Sequence, residues 1–312
     1  MAFVPIPPDP ARPGSSHRPN PLAAPFIPAN PGTSPVLNIA PPVVISSNMF
    51  NNTPVSPTTF ENPYTLISTT SELSTVVDLL SPLPTYPPSL YIDLEGINLS
   101  RYGSISILTI YASPLRTTYL IDVHTLQQAA FTTPGRVNPT NTLKSLLEDP
   151  TVPVVLFDAR NDNDALVNNY KVRMAGVVDV QLMELASRPG KKHYLNGLAK
   201  VLQSYPIMSP QQLISWKATK DEGVDLFAPE KGGSYEVFNE RPLRPEVGRY
   251  CVQDVSFLRD LWGLFEADLG HPTKSWRKIQ ISQEVQKRLA MADDPNYDPK
   301  GRERARGPAG WR

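Results

Sequence analysis

The sequence is poor in the residues that build several familiar kinds of site. It holds one cysteine, Cys251, in 312 residues, so the chain can form neither a disulfide framework nor a thiolate zinc site. Its four histidines are widely scattered and do not make a histidine-rich metal centre. Charge of either sign is in no excess. Lys plus Arg and Asp plus Glu number 30 each, for a formal net charge of zero. That excludes a histone-like, tail-driven grip on nucleic acid but leaves room for local phosphate contacts. Long apolar runs are missing as well. No stretch approaches the roughly 20 apolar residues that cross a bilayer. The opening MAFVPIPPDPARPG breaks with proline the apolar helix that a signal peptide needs. An intracellular protein is the expectation, with nucleus and cytoplasm undistinguished.

Proline is abundant. Of its 35 residues, 15 precede position 60, a stretch whose charged residues are Asp9, Arg12 and Arg18. Proline removes backbone donors and blocks regular pairing, so a packed core is not expected there. Residues 1–62 read as a disordered leader. Within it, Pro35–Ser46 could dock on the body or on a partner protein, or serve as a spacer.

Order is expected from Tyr64 onward. Ser71–Leu80 predicts a short helix capped by Ser71 or Ser74. Leu90–Leu94, Ser104–Ala112 and Thr117–Val123 follow as strands of an antiparallel meander. The pattern then alternates. Thr142–Leu147 reads as helix, Val152–Phe157 as an apolar strand, Asn161–Tyr170 as helix, and Gly176–Val180 as a strand running into helix Gln181–Ala186. Leu195–Leu202 predicts another helix, and Pro245–Phe265 a long one with apolar residues at three- and four-residue steps. A meander followed by strand–helix alternation implies an α/β fold, a mixed sheet with helices on its faces. Residues 63–268 form the expected domain. Residues 269–312 form a basic helix, near Lys274–Ala290, and a flexible tail. The stretch 218–245 reads as a mobile flap or a long surface loop.

Carboxylates mark three short segments. Asp93 and Glu95 in YIDLEG are two positions apart on a strand, so both leave one face. Gly96 then leaves room for something bulky to approach the backbone. Such a pair repels itself unless protons or cations compensate it, although Asp-x-Glu alone is common. FDARNDNDAL follows an apolar strand, the end at which open α/β sheets bind ligands. In it Asp158 could orient the loop. Asp162 stands in the first helical turn, where negative charge is favoured, and Asp164 is expected outward. A solvated acidic turn is the plainer alternative. Tyr250 and Asp254 in YCVQDV share a helix face. The phenol could pack against the carboxylate or orient a water beside a metal.

Asp93-x-Glu95, Asp162 and Tyr250-x-x-x-Asp254, in this order and on these elements, resemble the three motifs of the DEDD superfamily of 3′–5′ exonucleases (RNase D and Werner types). Tyrosine in the third motif places the chain in the tyrosine subgroup. Asp179 matches the Asp-x-Gln of RNase D-like domains. The resemblance spans residues 80–265 and implies a ribonuclease H-like, five-stranded mixed sheet flanked by helices. It further implies catalysis with two Mg²⁺ or Mn²⁺. Asp93 would bridge the metals, Glu95 and Asp254 would hold the one carrying the attacking water, and Asp162 would hold the one near the leaving oxygen. Tyr250 would orient that water. The implied reaction releases nucleoside 5′-monophosphates from the 3′ end of single-stranded RNA or DNA. Phe157 stands where many RNase D-like members carry histidine, and no HRDC-type helical domain follows residue 265. Arg101, Arg160, Lys192 and Arg249 are the candidate phosphate contacts, with ordinary surface charge as the alternative for each. The rival function is a non-catalytic RNA-binding adapter on the same scaffold. Its sequence sign, loss of a motif acid, is absent.

Overall fold

The computed structural model describes residues 63–311. The expected leader, 1–62, lies outside the described residues. Strands β1 (Tyr64–Ile67), β2 (Leu90–Glu95), β3 (Ile107–Ala112), β4 (Thr117–Asp122), β5 (Val154–Leu156) and β6 (Val177–Asp179) form one sheet in the order β1-β4-β3-β2-β5-β6. The β2–β3 and β3–β4 pairs are antiparallel, whereas β1–β4, β2–β5 and β5–β6 are parallel. The expected mixed sheet is therefore present with a sixth strand, β1, added at its edge.

The helices follow in chain order: α1 (Thr70–Leu80), α2 (Val123–Leu126), α3 (Ala129–Thr132), α4 (Leu143–Glu148), α5 (Arg160–Ala165), α6 (Val180–Ser187), α7 (Leu198–Ser204), α8 (Pro210–Phe227), α9 (Pro245–Ser256), α10 (Leu258–Leu269) and α11 (Trp276–Ala290). One core joins α1, α3 and α4 to the sheet through Leu73, Val77, Ile92, Leu108, Phe131 and Leu147. A second joins α6, α10 and α11 through Leu182, Val255, Leu261, Phe265 and Val285. Burying both faces of β2 and β5 explains their nearly continuous apolar runs.

Three expectations change. Helix α1 is capped by Thr69, two residues before Ser71: Thr69 accepts from Glu72 N at 3.2 Å, and Glu72 Oε2 accepts from Thr69 N at 3.1 Å. This reciprocal capping box satisfies two otherwise orphaned donors. The long helix at 245–265 is two helices, divided at Phe257 with φ −109° and ψ 1°. Apolar periodicity carries across the division because both helices bury the same side. The stretch 218–245 begins with the second half of α8, an 18-residue helix, rather than a loop. Ser209 caps α8 by a capping box with Gln212, and Pro210 occupies its first turn, so its start signal was present in the sequence.

Candidate metal centre

Strand β2 ends beside α9, and the pleat of the strand turns Asp93 and Glu95 to one face. Asp254 lies one helical turn beyond Tyr250 on α9. Asp93, Glu95 and Asp254 each bring a carboxylate oxygen to within 4.8 Å of the others. Carboxylates this close and this deep cannot all remain ionised at ordinary pKa values. Burial, and next the neighbouring Asp254, push Asp93 up to about 7. Glu95 is held well above the carboxylate range by burial and then by Asp93.

Asp162, in the first turn of α5, is 6% exposed and stands outside this tight trio. It remains within electrostatic reach, since burial and then Asp93 raise its carboxyl well above the usual range. Asp158 takes a left-handed conformation, φ 69°, at the turn from β5 into α5. Two backbone donors fix this turn: Asp158 N and Ala159 N each reach an Asp179 carboxylate oxygen at 3.2 Å. Asp179 also caps α6 through Gln181 N at 3.0 Å. It is paired at 2.6 Å with Arg288, which is 2% exposed. The spacing of Ile281, Val285 and Arg288 on α11 places that arginine on the buried stripe, the sequence sign that it points inward. Asp164, expected outward, is fully buried. It accepts from Arg101 N at 2.7 Å and Nε at 2.9 Å.

Lys220, on α8, supplies the positive charge at the centre. Its Nζ lies 2.5 Å from Asp254 Oδ2 and donates to the Tyr250 hydroxyl at 2.8 Å. Burial draws the Lys220 pKa down, but Asp254 and Glu95 outweigh it and leave the ammonium favoured. Gly223 makes the approach of α8 possible, because a Cβ there would meet Tyr250 Cδ2 at 2.3 Å. The Tyr250 phenol is packed edge-on to Phe227, with ring centroids 5.0 Å apart. Burial and then Glu95 hold it well above its usual pKa. Nothing local in the sequence marks Lys220 as the inward-facing lysine, because α8 is poorly amphipathic. Gly96 also differs from expectation. The Ser104 carbonyl oxygen lies 2.0 Å from where its Cβ would stand, so the freed space admits the chain's own backbone.

The candidate phosphate contacts are, for the most part, otherwise engaged. Arg101 binds Asp164 and the carbonyls of Met291 and Asp294. Arg160 grips Asp158 at 2.6 Å and the Arg304 carbonyl at 3.0 Å. Lys192, 5% exposed, donates to the Leu185, Ala186 and Arg188 carbonyls at the end of α6. Burial and then Arg277 draw its pKa down to about 8. Each of those three sits where a buried acid or a helix end needs a donor. Arg249 is half-exposed between Glu222 and Glu246.

The donor set fits a hard divalent cation. It is all oxygen, the Asp93 and Glu95 carboxyls are pushed toward protonation, and Asp254 Oδ1 is buried with no hydrogen-bond partner among the described residues.

A sequence profile described as 3′–5′ exonuclease matches residues 64–269. No curated protein sequence matches the chain. Among solved structures, Trypanosoma brucei RNase D superposes with a TM-score of 0.64 at 20% identity, covering 80% of each chain. The same enzyme in complex with RNA U12 gives a TM-score of 0.62 at 20% identity, over 80% of this chain and 78% of that one. Escherichia coli RNase D gives a TM-score of 0.51 at 16% identity, over 74% of this chain and 51% of that one. At these identities the superpositions speak for the fold alone.

Proposed function

The chain belongs to the 3′–5′ exonuclease family, and from that premise we propose that it shortens single-stranded RNA or DNA from the 3′ end, releasing nucleoside 5′-monophosphates. The observation that carries this reading is the trio of Asp93, Glu95 and Asp254, with ligand oxygens within 4.8 Å of one another. Asp162 lies near enough for the ionised Asp93 to raise its pKa. Buried like charges are costly, and an oxygen-only set of this kind suits Mg²⁺ or Mn²⁺ over zinc.

In this reading Asp93, Glu95 and Asp254 would hold the divalent metal, with Asp162 as a further ligand. Bound divalent metals supply an activated water and neutralise charge developing on the phosphoryl group. The chain's own residues do the rest. Tyr250, anchored by Lys220 and walled by Phe227, directs its hydroxyl at the water's position. Lys220 balances the carboxylates and offers a positive charge to the scissile phosphate. The water oxygen bonds to phosphorus as the bond from phosphorus to the penultimate 3′ oxygen breaks. The attacking water gives up a proton to solvent, and the leaving oxygen takes one from solvent, which leaves the shortened strand with a 3′ hydroxyl. Among the described residues, no helix is long and apolar enough to cross a membrane.

The test uses 5′-end-labelled RNA and DNA single strands with Mg²⁺ or Mn²⁺. Wild type is expected to shorten at least one of them from the 3′ end. Asp93→Asn and Asp254→Asn should each lower the rate by on the order of 10³-fold or more. Tight binding of both strands by wild type with neither shortened would replace this reading with the RNA-binding adapter.

A further inference from the structure

The loop between α6 and α7 and the end of the described chain enclose a cleft of about 950 Å³, away from the carboxylate trio. Lys191, His193, Lys200 and Arg306 line it, and no aspartate or glutamate does. All four are exposed, and none has a side-chain ion pair or hydrogen bond among the described residues. Other surface cations are neutralised by acids, as Lys144 is by Glu148, Arg173 by Asp293 and Lys231 by Asp225. Two other cations of the cleft wall are already used: Arg188 is bound to Glu184, and Lys192 caps α6. Tyr194 stands in the same wall, 66% exposed, with Trp311 at the far edge.

The cleft is built by the tail. Leu195 N donates to the Ala305 carbonyl at 2.9 Å and Gly307 N to the His193 carbonyl at 2.8 Å, so Tyr194 and Arg306 pair as an antiparallel bridge. Two residues before Arg306, the Arg304 carbonyl accepts from Arg160 at 3.0 Å, and the Arg304 guanidinium lies 3.6 Å from Asp158. Two residues of chain span at most about 7 Å. The cleft therefore opens beside the Asp158–Asp162 turn, one boundary of the candidate metal centre.

Free cations beside an exposed aromatic face are what a single strand requires: charge for phosphates, and a ring on which a base can stack. We propose that this cleft holds the single-stranded nucleic acid on the 5′ side of the scissile phosphodiester. Lys191, Lys200 and Arg306 take its phosphates and Tyr194 stacks one base. The inference rests on the exonuclease reading and adds a substrate track built partly by Arg306, beyond the residues matched to that family.

Fluorescence anisotropy with a 12-nucleotide oligouridylate tests it, using full-length Asp93→Asn protein so that the strand survives. Adding Lys191→Glu, Lys200→Glu and Arg306→Glu together should weaken binding at least tenfold. It should also flatten the dependence of log K on log salt by about 2, the value for three phosphate contacts on a single strand. Tyr194→Ala should weaken binding about fivefold or more and leave the salt slope unchanged. With Asp93 restored, the triple variant should raise KM for the 12-mer and keep the kcat of a dinucleotide too short to reach the cleft. Unchanged 12-mer affinity in the triple variant overturns the proposal, as does competition by polyglutamate as effective as that by unlabelled oligouridylate. These results leave the exonuclease reading standing, provided wild type still shortens the strand. Failure of wild type to shorten any strand is the separate result that removes that reading.

Discussion

Lys220 shows how much a single side chain can settle. One ammonium meets the Asp254 carboxylate and the Tyr250 hydroxyl and offsets three carboxylates that would otherwise repel. Removing one member of a buried charged group leaves the rest uncompensated. Because Lys220 is a quarter exposed, a discounted cost of roughly 1–3 kcal/mol applies. Lys220→Met should therefore melt lower than wild type in EDTA, with Mn²⁺ recovering more of the loss in the variant than it adds to wild type. Equal melting temperatures of variant and wild type in EDTA would remove the counter-charge role. Proton uptake gives a second test. Asp93 is raised from 3.8 to about 7 by burial and by Asp254, so the folded state holds a proton there that the unfolded state releases. Stability in EDTA should accordingly fall as pH rises from about 4 to 7 and level off above. Metal must displace that proton, so the melting shift produced by Mn²⁺ should grow over the same window. A shift that is constant between pH 5 and 8 would contradict this assignment.

Among the elements, α8 and the β5–α5 turn do most to shape the centre. Helix α8 carries little amphipathic pattern, and its local signs are the capping box and Pro210 at its start. Its approach depends on Gly223, where a Cβ would stand 2.3 Å from Tyr250 Cδ2. Gly223→Ala should push α8 or the phenol outward, costing about 1–3 kcal/mol despite the better helix propensity of alanine. Turnover should fall with it, since Lys220 and Tyr250 are displaced together. A melting temperature equal to or above that of wild type, with full activity, would show that the contact is relieved elsewhere. The β5–α5 turn was legible as a strand end entering a helix, but its fixing was not. Asp179 at the end of β6 and Arg288 on α11 reach it, both distant in sequence.

Across the whole molecule, the tail ties its parts together. Arg101 reaches Met291 and Asp294, Asn163 reaches Leu289, and Tyr297 reaches Asn161. A stretch that composition marks as loose is thus laid across the second acidic segment. Asp164 anchors this arrangement by holding Arg101. Asp164→Ala would leave that guanidinium without its carboxylate, at a cost of roughly 3–5 kcal/mol. It should also loosen the tail, so that trypsin cuts after Arg302, Arg304 or Arg306 sooner than in wild type. Unchanged cleavage kinetics would show that the tail is held without this pair.

The sequence by itself determined the α/β alternation, the meander and the positions of Asp93, Glu95, Asp162, Tyr250 and Asp254. These follow from short-range rules: two-residue alternation in strands, three- and four-residue recurrence in helices, and acids at element ends. Only the tertiary structure decided which charges meet. Asp93 and Asp254 are neighbours across 161 positions. Asp164 turned inward because Arg101 was there to receive it, and Arg160 and Lys192 were taken up by an acid and by helix-end carbonyls. Lys220 became the cation of the centre because Gly223 lets its helix close on Tyr250. Each of these outcomes depends on the partner that packing delivers, and no local pattern encodes that partner.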